Sequence, residues 1–145
     1  MARNGWLAML WLLALALAAC ARPPAEQRLR ETVAAMQAAA EAREPRDFLR
    51  HVSADFTGNA GQVDREGLHN LLRAVALRNE RIGVLLGPAE VELTGDRARL
   101  RLSVTLSGSA GGLIPERGAV YAIDSGGKQD GGEWRCISAT WEQKL

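Results

Sequence analysis

The stretch Glu90–Ser107, E-V-E-L-T-G-D-R-A-R-L-R-L-S-V-T-L-S, sets the strongest constraint on the fold. Two runs of period-2 alternation flank Gly95-Asp96, the pattern of a β-hairpin. With Gly95 and Asp96 as a two-residue loop, Thr94 pairs with Arg97, Leu93 with Ala98, Glu92 with Arg99, Val91 with Leu100 and Glu90 with Arg101. One face then carries Val91, Leu93, Ala98, Leu100, Leu102, Val104 and Leu106. The other carries two opposite-charge pairs, Glu92 with Arg99 and Glu90 with Arg101, each contributing about 0.2–1 kcal/mol. A slip of one residue would turn the arginines into the core, so the register is well specified.

The chain has 145 residues, enough for one domain with its own core. Its first nineteen residues are set apart by composition. They hold one charge, Arg3, and Trp6–Ala19 is unbroken apolar sequence. That run is short for a membrane-spanning helix and fits the apolar region of a signal peptide. Leu17-Ala18-Ala19-Cys20 resembles the lipobox of bacterial lipoprotein precursors. The resemblance implies cleavage after Ala19, a signal peptide over 1–19, and lipidation of Cys20 as the first mature residue. The membrane would then be a partner through the lipid anchor, and the domain would face the periplasm at the cell envelope. In Gram-negative lipoproteins an aspartate after the cysteine marks inner-membrane retention. Ala21 stands there, which by that resemblance favours the outer membrane.

Without Arg3 the chain carries 17 Lys and Arg against 17 Asp and Glu. A formal charge of zero gives nucleic acid no phosphate-binding excess, so no nucleic-acid partner is expected. Residues 20–24 form a short tether. Its prolines favour extended chain that reaches about 15 Å.

Ala25–Arg43 is rich in helix formers and lacks Gly and Pro. Leu29, Val33, Met36 and Ala40 recur at helical spacing as its buried stripe. Pro45 ends this helix and opens a short one over Pro45–Val52. Phe56 is a core anchor, and 57–61 reads as a loop. Asp64 caps a third helix, from Arg65 to about Leu77, with Leu68, Leu71, Leu72 and Val75 on its apolar stripe. Strands follow over Arg81–Leu86, the hairpin, Arg117–Asp124 and Glu133–Glu142. Gly108–Gly112 and the Gly-rich Ser125–Gly132 read as connectors. Strict alternation on the last strand puts Trp134 and Cys136 on one face, and Ile137, Ala139 and Trp141 on the other. Two explanations stand for a Trp on each face: a β-bulge, or a covered outer face that makes Ile137, Ala139 and Trp141 a homodimer surface.

Helices before strands argue for an α+β fold, with N-terminal helices packed on a curved antiparallel sheet of four or more strands. The order helix, short helix, A-D-F at Ala54–Phe56, capped helix, then strands with G-E-W-R at Gly132–Arg135 resembles the nuclear transport factor 2-like superfamily. The resemblance spans about residues 25–144 and implies a cystatin-like cone, in a domain taken here as 25–145. Its members include isomerases, dehydratases and non-catalytic binding domains, so it leaves the function open.

The chemistry-bearing residues are few. His51 and His69 fall on different helices, and no C-x-x-C or H-E-x-x-H occurs, so neither a metal nor a cofactor is expected. His51 fits the C-terminus of the short helix, where a positive charge is favoured. Cys136 has no base beside it in sequence and reads as a buried thiol. Tyr121, Asp55 and Asp124 are the only residues to set against the tyrosine and carboxyl groups of isomerase relatives, and position alone does not make them a catalytic set. No catalytic residue is assigned. Met36, Phe56, Tyr121 and Trp134 are candidate pocket residues for a small apolar ligand. The reading that fits best is an envelope lipoprotein whose domain binds a ligand or partner without catalysis. The alternative is a small pocket enzyme of isomerase or dehydratase type acting on an apolar substrate.

Overall fold

The computed structural model describes residues 3–19, 23–109 and 118–144. Four helices and seven strands follow in order: α1 (Arg3–Ala19), α2 (Ala25–Glu41), α3 (Pro45–Leu49), β1 (Val52–Gly58), β2 (Val63–Asp64), α4 (Arg65–Arg78), β3 (Arg81–Leu86), β4 (Glu90–Thr94), β5 (Arg97–Ser109), β6 (Ala119–Asp130) and β7 (Glu133–Gln143). Cys20 with its expected lipidation, the loop at 110–112 and the expected strand start at Arg117 lie outside the described residues. In α1, Trp6 to Leu13 are exposed. No helix among the described residues is long and apolar enough to cross a membrane. Both core clusters are built from residues between Ala25 and Trp141, so the domain from Pro23 onward carries a core of its own.

The β4–β5 hairpin has the register that the sequence dictates, from Thr94 opposite Arg97 to Glu90 opposite Arg101. Gly95 takes φ +59°, open to a residue without Cβ. On the solvent face the expected pair of Glu90 with Arg101 forms, and that of Glu92 with Arg99 does not. Arg101 reaches both Glu90 (3.4 Å) and Glu92 (3.1 Å). Arg99 turns to the next strand and grips Asp124 with two nitrogens, at 3.0 and 2.6 Å. Two-point geometry on a planar carboxylate outcompetes the single contact available to Glu92.

The sheet runs β2-β1-β7-β6-β5-β3, with β4 also on β5. It is mixed rather than antiparallel throughout, because β1 lies parallel to β7. This corrects two boundaries. The short helix stops at Leu49, and Val52–Gly58, split by the sequence between helix and loop, is a strand with Val52, Phe56 and Gly58 buried. β3 and β4 share one edge of β5, β3 along Val104–Ser109 and β4 along Arg97–Arg101. The Gly87 N–H donates to Ser103 O (2.8 Å) where one gives way to the other.

The stretch 125–132 is not a connector. β6 continues through Asp130, and only Gly131-Gly132 forms the turn, with φ +60° and +83°. Gly at both loop positions permits the tight primed turn. Between Gly126 and Gly127 the β6–β7 register shifts: Gly126 pairs with Ser138 and Gly127 with Cys136, leaving Ile137 as an extra residue. This β-bulge resolves the two-faced pattern of β7. Trp134, Cys136, Ala139 and Trp141 all come to the concave side, the last three against the Leu49–Val52–Phe56 cluster. The expected outward stripe of Ile137, Ala139 and Trp141 therefore does not form, since the bulge separates Ile137 from the other two.

These assignments give a stability test. Leu100→Asp puts a charge into the concave face and should lose about 3 kcal/mol or more. Arg101→Ala removes only exposed pairs and should lose about 1 kcal/mol or less. Urea denaturation of both variants checks the assignment, and equal losses would contradict it.

Candidate functional site

The concave face of the sheet is bridged by α2, which is fixed at both ends. At its N-terminus the Trp134 indole N–H donates to Ala25 O (2.9 Å). Arg28 donates to Gly132 O (2.5 Å) and to Gln129 Oε1 (3.2 Å). Leu29, Ala98 and Trp134 pack together there as a plug, with Trp134 only 2% exposed. Near its C-terminus the Gln37 amide donates to Val84 O (2.8 Å), and Glu41 Oε1 accepts from the Val84 N–H (3.1 Å). On the other side, α4 starts at the Asp64 cap, whose carboxylate accepts from the Gly67 N–H (2.7 Å). Arg65 reaches back to Leu49 O (3.0 Å) and Val52 O (3.4 Å), tying α4 to α3 and β1.

Between these elements lies a cavity of about 460 Å³, within the usual range for small-molecule sites. It is closed by the plug at one end and flanked by α4 at the other. None of the α4 residues is buried. Leu71 and Val75 line the cavity yet stay 47% and 43% exposed, so the opening lies beside α4. The stripes read as core on α2 and α4 are thus cavity wall. An amphipathic helix shows the same pattern whether its apolar face meets side chains or empty space.

The wall's polar side chains are few and mostly engaged within the protein. The Thr32 hydroxyl donates to Arg28 O (3.0 Å), the Ser125 hydroxyl to Leu100 O (3.5 Å) and the Cys136 thiol to Ser138 O (3.3 Å). Arg43, exposed at the rim, donates to Glu80 O (2.9 Å). Met36, Phe56, Tyr121 and Trp134 all line this cavity, joined by Ala139 and Trp141. Asp55 and Asp124 do not line it. Asp55 accepts from the Ser53 hydroxyl at the surface, and that bond holds its carboxyl below the usual value. Asp124 is held low by the Arg99 guanidinium on the outer face.

His51 lines a second, polar cleft with Arg28, Arg50, Glu133 and Arg135. Partial burial, then the charge of Arg135, pushes its pKa below the ordinary value. A favoured positive charge at the end of α3 is therefore not what the structure gives. The helix is one turn long, and Arg135, anchored to Arg50 O, supplies the positive charge instead. Among the described residues no group of three His, Cys, Asp or Glu is placed to hold a metal ion.

Burial pushes the Cys136 thiol up to about 11. At pH 8 roughly a thousandth of it is thiolate, far less than for an ordinary cysteine. In a chain of residues 21–145, where Cys136 is the only cysteine, disulfide reagents should label the native protein at least a hundred-fold more slowly than the urea-unfolded one. Equal rates would mean that the thiol is not enclosed.

No family model matches the chain, and no curated protein sequence matches it. Solved structures do. Bd1075 of Bdellovibrio bacteriovorus superposes with a TM-score of 0.71 at 12% identity, over 81% of this chain and 41% of that one. A protein of Novosphingobium aromaticivorans named as a candidate scytalone dehydratase gives 0.70 at 9% identity, over 83% and 84%. A nuclear transport factor 2-like protein with a cystatin-like fold from the same organism gives 0.63 at 19% identity, over 95% and 87%. The chain thus spans less than half of Bd1075 and most of the other two. It has the cystatin-like fold of nuclear transport factor 2-like proteins.

Proposed function

We propose that this chain is a binding domain for a small apolar molecule, held at the bacterial cell envelope through lipidated Cys20. The observation that carries the first half is the cavity of about 460 Å³, walled by Leu, Val, Ile, Ala, Phe and Trp. Transfer of apolar surface out of water supplies affinity at about 25 cal/mol per Å². The second half rests on the lipobox-like Leu17–Cys20 and on the apolar run before it. Ala21 after the cysteine supports outer-membrane placement with the domain facing the periplasm.

A small pocket enzyme of dehydratase or isomerase type is the second reading. It is favoured by the name of the scytalone dehydratase-like neighbour. Such chemistry needs a proton-transfer group inside the cavity. Among the described residues Glu44 is the only lining carboxylate and is exposed, so the Tyr121 hydroxyl has no carboxyl group beside it inside the cavity. That position supports binding over acid–base catalysis.

Pyrene, whose emission reports the polarity around it, tests the cavity. Residues 21–145 should bind it saturably at one site. Ala40→Phe, on the cavity-lining face of α2, should weaken binding at least ten-fold while leaving the melt cooperative. Absence of saturable binding, or binding indifferent to Ala40→Phe, would remove the ligand-binding reading. For the anchor, the full chain should fractionate with membranes and Cys20→Ser should not. Equal sedimentation would refute lipidation at Cys20.

A further inference from the structure

We infer that the Tyr121 hydroxyl sets the specificity of the cavity, selecting uncharged ligands that carry one hydroxyl or carbonyl on an otherwise apolar body. The inference rests on the ligand-binding reading above.

Tyr121 reaches the cavity by the alternation of β6. Tyr121, Ile123 and Ser125 line it, while Asp124 meets Arg99 on the outer face. In register, Tyr121 stands opposite Val104 and Gln143. Its hydroxyl has no hydrogen-bond partner among the described residues, whereas those of Thr32 and Ser125 are engaged. Among the described lining side chains Glu44 is also unpartnered, but it is exposed at the rim. Tyr121 thus places a half-buried hydroxyl in the wall that is free to bond a guest.

The charge of the ligand follows from the same wall. Arg43 and Glu44 are exposed at the rim. Arg135 lies between the inward Trp134 and Cys136, and its guanidinium contacts Arg50 O and Glu133. Among the described residues no free cation lines the cavity to pair a buried carboxylate, and an unpaired buried charge is strongly disfavoured. An uncharged hydroxyl or carbonyl forms one bond with a phenol and leaves nothing unpaired.

The ends of the ligand are also set. Gly127 on β6 pairs with Ala98 of the plug, and Tyr121 is six residues away, roughly 20 Å along the strand. The polar group sits away from the plug, and the apolar body points toward Trp134.

Three probes of one size test this on residues 21–145: pyrene, 1-pyrenemethanol and 1-pyrenecarboxylate, followed by their own fluorescence. Wild type should bind 1-pyrenemethanol about five-fold more tightly than pyrene, the worth of one neutral hydrogen bond. It should bind the carboxylate most weakly. Tyr121→Phe should bring the ratio of alcohol to pyrene affinity down to about one while the protein still melts cooperatively. If pyrene does not bind at all, the ligand-binding reading fails. If pyrene binds but the alcohol shows no advantage, or keeps it in Tyr121→Phe, the role of Tyr121 is overturned. Tightest binding of the carboxylate would overturn the selection against charge.

Discussion

The concave face depends on a single extra residue. β7 carries two tryptophans seven positions apart, and strict alternation would send them to opposite sides of the sheet. The bulge at Ile137 puts Ile137 and Ser138 in sequence between inward Cys136 and inward Ala139, so both halves of the strand face the same side. Bulges also bend a strand and raise its twist. The partner strand meets the bulge with Gly126 for a steric reason, since a Cβ there would stand 2.6 Å from the Ser138 hydroxyl oxygen. At Gly58 of β1, a Cβ would fall 2.8 Å from the Trp141 ring. Trp141 thus comes inward where the neighbouring strand carries no side chain.

With both tryptophans inside, the helices find their anchors. Trp134 offers its indole N–H to the first carbonyl of α2, one of the few polar partners deep in the fold. A buried indole left unpaired would cost about 1–3 kcal/mol, so this bond fixes where α2 begins. At its far end α2 is held by backbone groups of β3, through Gln37 and Glu41. The helix is thus suspended across the sheet by polar contacts near its ends, while its middle, Val33, Met36 and Ala40, meets the cavity. A helix packed flat along the sheet would need no such end bonds and would leave no cavity.

The legible parts of the sequence are those where local chemistry leaves no choice. The β4–β5 register follows from period-2 alternation and a two-residue loop, and Asp64 announces α4 because a carboxylate there satisfies an open N–H. The illegible parts depend on partners remote in sequence. Val52–Gly58 has polar residues at its centre and becomes a strand only because β7, some eighty residues later, lies beside it in parallel. The stretch 125–130 has the composition of a linker and is strand because β5 and β7 pair with it on either side, the Ser138 hydroxyl standing where a Cβ on Gly126 would fall. Arg99 chooses Asp124 over Glu92 because β6 lies on the other side of β5, an adjacency absent from the hairpin alone. For the site, Met36, Phe56, Tyr121 and Trp134 were legible as inward residues. Whether they meet one another or a void is a matter of helix suspension, which periodicity does not encode.

Of the three helices around the cavity, α4 alone buries no residue. It is capped at Asp64 and tied through Arg65, yet Leu71, Val75 and Leu77 keep much of their surface exposed. The depth to which the Leu71 and Val75 side chains are desolvated is set by the content of the cavity. Water leaves them solvated. An apolar guest removes them from water and gains the free energy that a filled core would have gained during folding. A guest that binds only the folded chain stabilises it by RT ln(1 + [L]/Kd), and the gain falls where the empty domain is weakest. On the ligand-binding reading proposed above, the apolar stripe of α4 would couple affinity to stability, since the contacts missing from the empty protein are those that a ligand would make.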